Sequence, residues 1–567
     1  MKKLIATIIF MGIILFTTSL HAQIFDGGDL HSIMLCKDST VWTCGNNGKG
    51  QLGNSTMIND SVPIQVFGPG GVGFLDNIVA VAAEQEQCLT LRSDGTVWSW
   101  GANNFGQLGI GGTTDVKLPS QVLGSDSVGF IDSIVAISSG YYHSMALKKD
   151  GTVWAWGSNT LGQLGDGTYI KRYYPVQVKG ITKVIAISAG AVTSLALRND
   201  GTVWAWGSND KGALGQGSAG GKDSLPIAVK SPGGTGFLDN TISIATNGSQ
   251  SVGRCMVLRN DGRLWGWGKN NKGQLGNGTT TDYHLPTLVS TLTDVAAFAI
   301  GPFHSLAIKK DSTTWAWGSN FYGKLGIGTT SDTTLPVKIT FFGDILTLAV
   351  GAGWGHSLAV NYSNTIVLAW GSNYSGQLGD STTIDHSITI PNKLSCMVDC
   401  IPKTNFGYKD SSLTIDFLNF TLNTFQWSWD FGDGNISSDH SPSHAYSTPG
   451  TYQVCLTATN LCGSTTYCDS VSVLNTGIKD YLSGESMVRI YPNPVSSSAT
   501  IVINIPLSRE VGSASLMVYD LLGKEVKRID IDRNTVEIKR VNLPGGMYIY
   551  KLTNEKGTIG TGKLIIE

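Results

Sequence analysis

The chain has 567 residues, enough for about three domains of ordinary size. Its formal net charge is −2 and it has no long basic or acidic run, which excludes the electrostatic pattern of a nucleic-acid-binding protein. Glycine supplies 71 residues and tryptophan 15, a composition typical of short β-strands joined by tight turns.

The first 22 residues have the pattern of a secretory signal peptide. Lys2 and Lys3 precede an apolar stretch over residues 4–20, and His21-Ala22 precedes Gln23. This stretch is short for a membrane span of about 20 residues, so we expect cleavage after Ala22 and export. No later segment has the length and apolar character of a transmembrane helix, and we expect no span in the mature protein.

Seven tryptophan-glycine signatures divide the next part of the chain into units of 50 to 61 residues. They read VWTCG (41–45), VWSWG (97–101), VWAWG (153–157), VWAWG (203–207), LWGWG (264–268), TWAWG (314–318) and VLAWG (367–371). The apolar runs are too short for helices, and Asp-Gly between two of them indicates a hairpin. Four short antiparallel strands per unit, repeated seven times, predict a β-propeller over residues 23–394.

The segments GxxHSLAL, DGxVWxWG and NxxGQLGxG of these units resemble the repeats of the regulator of chromosome condensation family. The resemblance covers residues 24–394 and implies an all-β, seven-bladed propeller. Because the chain enters in the middle of a unit and leaves after the outer part of one, we expect both ends to complete one shared blade. Such a blade would remove open sheet edges.

The position of the repeated histidine varies from unit to unit. It holds His31, Gln87, His143, Thr193, Arg254, His304 and His356. A catalytic or metal-binding role would not survive glutamine, threonine and arginine at equivalent places. We therefore expect the histidines to bond backbone groups between blades.

Three units carry a related insertion before their first strand. The insertions read GGVGFLDN (70–77), DSVGFIDS (126–133) and GGTGFLDN (233–240). We expect loops that are packed by Phe74, Phe130 and Phe237.

A second module is expected over residues 395–475. The segments FQWSWDFGDG (425–434), HAYSTPGTYQVCLTATN (444–460) and DSVSV (469–473) resemble a polycystic kidney disease (PKD) domain. The resemblance implies an immunoglobulin-like β-sandwich that acts as a spacer or a glycan-contacting accessory. Asp430 and Asp433 form either a structural turn or a calcium site, and no other cofactor is implied.

Nine cysteines in an exported protein permit disulfides without defining them. Two local pairs are plausible in the region after the repeats: Cys396–Cys400 and Cys462–Cys468. Cys36 and Cys44 do not oppose one another in the predicted hairpin, so we expect no bridge between them. Cys88 and Cys255 stand where other units have serine, and we expect small buried thiols there.

The chain ends in a third module, expected over residues 487–567 after a linker at 476–486. The segments YPNP (491–494), LMVYDLLGKEV (516–526), LPGGMYIYKL (543–552) and GKLIIE (562–567) resemble the type IX secretion C-terminal sorting domain of the Bacteroidetes. The resemblance implies a second immunoglobulin-like sandwich, read by the outer-membrane translocon, and a secreted or surface location. The sorting signal falls on Tyr491, Pro492, Asn493, Pro494, Gly545, Tyr548 and Lys563.

Candidate binding residues lie just before or beside the histidine position, where otherwise similar units differ. They are Asp29, Glu86, Tyr141, Tyr142, Phe303 and Trp354. Variable residues on a constant scaffold favour recognition, although local packing between blades explains aromatic residues there equally simply.

We expect a non-catalytic secreted or cell-surface protein that binds a protein or glycan ligand. The alternative is an inhibitor of a secreted hydrolase, by fold analogy with β-lactamase-inhibitor propellers. An enzyme is not expected, because the three modules leave no stretch for a catalytic domain.

Overall fold

The structure is a computed structural model. It describes residues 24–249, 252–340, 347–361, 367–394, 404–411, 413–421, 426–460, 463–473, 488–491, 498–503, 514–520, 524–531, 535–539, 544, 546–554 and 557–566. The predicted signal peptide therefore lies outside the described residues. The chain divides into two compact units, Met1–Asn475 and Thr476–Glu567.

Seven four-stranded antiparallel sheets follow one another in the first unit, and we call them blades 1 to 7. In every blade the order of strands in the sheet is their order in the chain, from the propeller axis outward. The strands of blade 1 are Phe25–Gly27, His31–Leu35, Val41–Gly45 and Asp60–Gln65; those of blade 2 are Ile78–Glu84, Gln87–Arg92, Val97–Gly101 and Val116–Gln121; and those of blade 3 are Ile134–Ser139, His143–Lys148, Val153–Gly157 and Arg172–Gln177. Blade 4 contains Val184–Ala189, Thr193–Arg198, Val203–Ser208 and Lys222–Ala228, and blade 5 contains Thr241–Ser249, Val252–Arg259, Leu264–Gly268 and Tyr283–Leu288. Blade 6 contains Val295–Ile300, His304–Lys309, Thr314–Gly318 and Thr333–Lys338, and blade 7 contains Thr347–Ala352, His356–Asn361, Val367–Gly371 and His386–Pro391. Single 3₁₀ turns occupy Pro69–Gly71, Ser125–Ser127, Asp210–Gly212 and Phe321–Gly323.

Blade 3 shows how the repeated residues form a blade. Gly151 turns the central hairpin at φ 77°, a conformation that favours glycine, while the Asp150 carboxylate accepts the backbone N–H of Thr152 at 2.9 Å. In the following loop the Asn159 side chain donates to two backbone carbonyls and accepts the N–H of Leu164 at 3.0 Å. These local bonds explain why Asp-Gly and the NxxGQLG segment recur.

The propeller does not close through a shared blade, and that prediction was wrong. Phe25–Gly27, only three residues long, gives blade 1 its own inner strand, and blade 7 likewise has four strands of its own. Blades 1 and 7 meet through side chains instead: Ile24 and Phe25 share an apolar cluster with Leu358 and Val360. The sequence interpretation failed because a strand of three residues, FDG, lacks a recognisable apolar pattern.

The three insertions are only partly packed as expected. Phe74, Phe130 and Phe237 are 51%, 53% and 63% exposed, although the ring of Phe74 lies 5.9 Å from that of Phe67. The buried anchor of each insertion is the next residue in the chain. These anchors are Leu75, Ile131 and Leu238.

The PKD region forms two sheets around an aromatic core. One contains Phe406–Ser411, Thr414–Asn419 and Ser443–Ala445, and the other Ile436–Ser437, Gln426–Asp430, Gly450–Asn460 and Gly463–Val473. Cys455 and Cys468 lie directly opposite one another on the two long strands and form a disulfide. The expected Cys462–Cys468 pair is therefore wrong, and Cys396–Cys400 lies outside the described residues.

The propeller cysteines agree with the sequence prediction. Cys44, Cys88 and Cys255 are buried free thiols. Cys36 is disulfide-bonded, but not to Cys44, which is free. The predicted absence of a Cys36–Cys44 bridge is confirmed.

The PKD region packs against the propeller through one edge of its smaller sheet. On Thr414–Asn419, Phe417 points into the PKD core, whereas Leu418, and Phe420 just beyond the strand, join the apolar cluster of blades 3 and 4. Two ion pairs flank this contact: Lys183 Nζ with Asp416 Oδ2 at 2.6 Å, and Lys149 Nζ with Asp469 Oδ2 at 3.0 Å. This interface is formed at the end of blades 3 and 4 that carries the Asp-Gly turns.

The second unit also consists of two sheets. One contains Val488–Tyr491, Ser498–Ile503 and Thr535–Lys539. The other contains Glu525–Ile531, Ala514–Tyr519, Gly546–Asn554 and Gly557–Ile566. In the part of the chain that the structure describes, no helix is long and apolar enough to cross a membrane.

We expect the fully buried and the partly buried tryptophan of one strand to contribute differently to the stability of the propeller. Trp206 is fully buried and its indole N–H donates to the Gln163 carbonyl at 2.9 Å, whereas Trp204 on the same strand is only partly buried. Trp206→Ala should lower the free energy of unfolding by about 3–5 kcal/mol. Trp204→Ala is the matched control and should cost less than half as much in chemical denaturation. Equal losses would contradict this assignment of the core.

A second prediction concerns the interface between the propeller and the PKD region. Leu418→Asp places a charge in the shared apolar cluster but leaves the PKD core residues intact, so it should separate the two bodies. Amide hydrogen exchange should then rise at residues 181–185 of the propeller while Gly450–Asn460 stays protected. Thr466→Asp, at an exposed position of the PKD region, should leave both segments unchanged.

Candidate ligand-binding face

Strand order gives the propeller two chemically different faces. Loops between the first and second strands, and between the third and fourth, lie at one end of every antiparallel blade; we call this the top face. The bottom face carries the Asp-Gly turns, the crossings between blades, the three insertions and the PKD contact. The expected binding residues all lie on the top face, because they precede second strands.

Beneath the top face, each blade is tied to the next by a repeated hydrogen-bond relay. His143 Nε2 of blade 3 bonds Ser194 Oγ of blade 4 at 2.8 Å. Ser194 donates to the Gln163 carbonyl of blade 3 at 2.8 Å, and the same carbonyl accepts the indole of Trp206. Because Ser194 donates its hydroxyl proton to the Gln163 carbonyl, its oxygen can only accept from His143, which must therefore carry a proton on Nε2 and donate it.

The same relay closes the ring. His356 of blade 7 bonds Ser32 Oγ of blade 1 at 2.9 Å, and Ser32 donates to the Gln377 carbonyl of blade 7 at 2.7 Å. His304 and Ser357 make the corresponding contact at 2.8 Å. The histidines are thus structural between blades, as expected, but the Nε2 partner is a side chain of the next blade: a serine hydroxyl for three of them and, for His31, the Cys88 thiol at 3.2 Å.

The other residues in this column explain how the relay tolerates substitution. Arg254 donates through Nη1 to Ser305 Oγ at 2.8 Å and so replaces histidine toward blade 6. Gln87 Nε2 donates to Ser139 Oγ at 2.8 Å. Thr193 donates to Ser208 in its own blade at 3.1 Å. Burial lowers the pKa of His143 and His356 to about 3 and that of His31 to about 4, so these rings are neutral.

The six expected binding residues separate into two groups on the top face. The first, near blades 1 to 3, is acidic and aromatic. Tyr141 donates through its hydroxyl to Asp29 Oδ2 at 3.1 Å, and its ring meets that of Tyr142 edge-on at 4.7 Å. Burial raises the pKa of Asp29 to about 7 and also raises that of half-buried Glu86. Tyr141 itself is only 8% exposed, so it serves packing more than contact.

Sequence reasoning missed Glu84 in this group. It is buried, accepts a hydrogen bond from Asn247 Nδ2 at 3.3 Å, and lines an axial cavity of about 170 Å³. Burial, and then the neighbouring Asp29 and Asp26, raise its pKa well above the usual range. Its position is three residues before the histidine column, where most units carry glycine. That departure from the repeat was the available signal.

The second group, near blades 6 and 7, is a row of aromatic rings. Phe303 and Trp354 meet edge-on at 6.2 Å, Trp354 lies 6.2 Å from Tyr322, and Tyr322 lies 6.3 Å from Tyr374. Phe321 contacts Tyr322 at 4.2 Å and, like Tyr374, is more than half exposed. We call Phe303, Trp354, Tyr322 and Tyr374 the aromatic row. Sequence reasoning found its inner two members and missed the outer two.

The acidic residues of the PKD region are occupied by the turn itself. Asp430 accepts the N–H of Gly432 at 3.0 Å, and Asp433 accepts the N–H of Asn435 and contacts His444 Nε2 at 2.8 Å. These bonds are those of a structural turn. Within the described residues, no group of three His, Cys, Asp or Glu is arranged to hold a metal ion.

Few of the expected sorting-signal residues can be placed. Tyr548 donates to the Pro544 carbonyl at 2.8 Å, and Lys563 pairs with Ile549 across two adjacent strands. Tyr491 ends the strand Val488–Tyr491. Pro492, Asn493, Pro494 and Gly545 lie outside the described residues.

Comparison with known families decides what the propeller is. The RCC1-like domain model matches residues 17–253 and 132–409. The chain belongs to the RCC1-like domain family. The PKD domain model matches residues 415–474 and the secretion system C-terminal sorting domain model residues 489–567. The sorting domain identifies a secreted or cell-surface protein that uses the type IX secretion system.

Individual relatives agree with this family. Probable E3 ubiquitin-protein ligase HERC6 of Homo sapiens is 31% identical over 287 residues, 49% of this chain and 26% of that protein. Ultraviolet-B receptor UVR8 of Arabidopsis thaliana is 29% identical over 373 residues, 64% of this chain and 69% of that protein. The chain thus spans about a quarter of HERC6 and about two thirds of UVR8.

Solved structures show the same fold. Human WBSCR16 superposes with a TM-score of 0.54 and 24% identity, over 63% of this chain and 94% of that one. Prp20p of Saccharomyces cerevisiae superposes with a TM-score of 0.50 and 25% identity, over 59% of this chain and 81% of that one. The all-β propeller prediction is confirmed.

The neutral buried histidines predict acid sensitivity. The unfolded chain takes up a proton on each histidine near its ordinary pKa, whereas folded His143 takes one only at about pH 3. The stability that His143 contributes is therefore complete above the unfolded pKa and is lost as pH falls. His143→Gln, which copies native Gln87, should reduce the slope of unfolding free energy against pH by about 1.4 kcal/mol per unit between pH 4 and 6. Denaturation at several pH values measures this slope, and an unchanged slope would contradict a neutral ring.

Proposed function

We propose that this protein is a non-catalytic secreted or cell-surface binding protein whose ligand, a protein or a glycan, contacts the top face of the propeller. One observation carries the proposal: within the described residues, the PKD region packs against the bottom face of blades 3 and 4 and makes no contact with the top face. Because the PKD region occupies part of the bottom face, we expect the ligand to bind at the top face.

The chemistry of the top face supports binding. Exposed and half-exposed aromatic rings give a large contact area at a small entropic cost, and they dominate recognition energies in many interfaces. Phe321 is 62% and Tyr374 51% exposed, and both lie on the loop that follows the third strand of a blade. The histidines, the residues most suited to acid–base chemistry, are buried and already committed to the relay.

Export is the other part of the proposed function. The signal peptide and the sorting domain would pass the chain to the type IX translocon, which would release it or attach it to the cell surface. On this proposal the PKD region is a spacer rigidly joined to the propeller. Neither an enzymatic role nor inhibition of a hydrolase is favoured by a specific contact in the described residues.

The test compares two sets of solvent-accessible aromatic residues on opposite faces of the propeller. Full-length protein would be applied to printed arrays of polysaccharides and of extracellular proteins, together with two triple variants. Tyr142→Ala, Trp354→Ala and Tyr374→Ala on the top face should lower binding at least tenfold, because they remove one exposed and two partly exposed rings. The control, Phe74→Ala, Phe130→Ala and Phe237→Ala, removes bottom-face rings that are at least as exposed and should leave binding unchanged. Equal binding by the top-face variant would overturn the proposal.

A further inference from the structure

Two lysines on the top face depart from the repeat, and both departures converge on one aromatic ring. Lys269 stands where four units have serine after the signature glycine, and Lys324 stands where five units have glutamine. Lys269 Nζ lies 5.2 Å and Lys324 Nζ 5.5 Å from the centre of the Phe303 ring. Lys324 Nζ also lies 5.5 Å from the centre of the Trp354 ring. The positive charge is therefore concentrated at the inner end of the aromatic row.

Neither ammonium forms an ion pair in the described part of the chain. Lys324 donates to the Trp354 carbonyl at 3.2 Å, and Lys269 donates to Ser249 Oγ at 3.3 Å. Two of the three acids whose charges act on these lysines pair with other lysines: Asp332 with Lys272 at 3.3 Å, and Asp282 with Lys211 at 3.8 Å. The third, Asp210, is not within ion-pair distance of Lys269. Two converging cations without a carboxylate in ion-pair contact place positive charge beside partly exposed aromatic rings.

The backbone holds the row in place. Tyr322 has φ 71°, a left-handed conformation that bulky residues rarely adopt. Lys211 at the equivalent position of blade 4 has φ 58°, so the conformation belongs to this turn of the repeat, which fixes the direction of the Tyr322 side chain. Here the conformation sets Tyr322 between Trp354 and Tyr374. The result is a series of neighbouring rings, tilted or edge-on to one another, that extends from the Lys324 ammonium to the exposed ring of Tyr374.

From these contacts we propose that the aromatic row and the two lysines bind an acidic saccharide, a glycan whose sugar rings carry carboxylate or sulfate groups. The sugar rings would pack on the aromatic faces, and one acidic group would be placed at the half-buried Lys269, with buried Lys324 adding a fixed positive charge behind it. This inference rests on the proposed function and names its ligand class. A neutral glycan would use the rings but would leave the surplus charge unpaired, and a protein ligand is the other outcome that the test distinguishes.

The lysines also predict a dependence on pH and salt. Burial lowers the pKa of Lys324 to about 8, and burial also lowers that of Lys269. Anion binding should therefore be strong below about pH 8 and should weaken as pH rises and Lys324 loses its proton. The charged groups that influence these lysines are Asp332 and Lys272 for Lys324, and Asp282, Asp210 and Lys211 for Lys269. Salt should weaken the interaction because Lys269 is partly exposed.

The experiment measures binding of the full-length protein to polygalacturonate, to chondroitin sulfate and to neutral dextran. The double variant Lys269→Ser and Lys324→Gln restores the residues that other blades carry, so it removes charge without foreign packing. We expect wild type to prefer an acidic polymer over dextran by at least tenfold, and the double variant to lose that preference. Lys222→Ser, which removes another ammonium 4.3 Å from a tyrosine ring but on blade 4, should bind as wild type does.

Each remaining outcome decides the proposal. If both acidic polymers fail to bind, if dextran binds equally well, or if the double variant keeps the preference, the acidic-saccharide assignment is overturned. If the top-face aromatic variants still abolish binding to a protein or a neutral glycan, the proposed function stands and only the acidic-saccharide assignment fails. If the aromatic variants change nothing, both fail. Circular dichroism of each variant would verify that the blades remain folded.

Discussion

The hydrogen-bond relay between blades is the interaction on which the rest of the propeller depends. It places a histidine, a serine and a main-chain carbonyl between every two blades that retain the motif, and the histidine Nε2, the serine hydroxyl and the carbonyl are all hydrogen-bonded there. The tryptophan of the signature donates to the same carbonyl, so the most regular residue of the repeat belongs to this network. Because these buried contacts hold the blades together, the top-face loops above them can differ in sequence from one blade to the next.

The relay also explains several glycines. A Cβ atom on Gly140 would lie 2.8 Å from the His143 ring, and one on Gly353 would lie 2.5 Å from the His356 ring. The histidine ring is thus one steric reason for glycine at this position, and the Gly190 carbonyl of the next blade, which lies even closer to a Cβ on Gly140, is another. Blade 2, which has Gln87 in place of histidine, has no such ring to accommodate and carries Glu84 there, at the axial cavity. One substitution in the scaffold thus permits a carboxylate on the inner surface.

The sequence predicted most of the fold because its signals are local. Asp-Gly turns, two-residue alternation and the seven signatures are each complete within a few residues. Ring closure was missed because it depends on His356 and Ser32, which are 324 positions apart. The disulfide was misassigned for a related reason: the nearest cysteine in the chain is not the one opposite in the sheet.

The binding face was only half predictable. Phe303 and Trp354 were found because they vary at a fixed place in the repeat, whereas Lys269 and Lys324 sit in different units and meet only in three dimensions. Their departure from the repeat is visible in the sequence, but their convergence on Phe303 is not. Variation within a repeat identifies candidates, and the arrangement of blades selects among them.

The absence of a shared blade has a consequence for how the chain acquires its structure. Every blade is complete in one continuous stretch, so its hairpins depend mainly on contacts close in sequence, which form early and rapidly. The contact between His356 and Ser32 joins the two ends of the ring and can form only after all seven blades exist. Ring closure would therefore follow the formation of the blades that it joins.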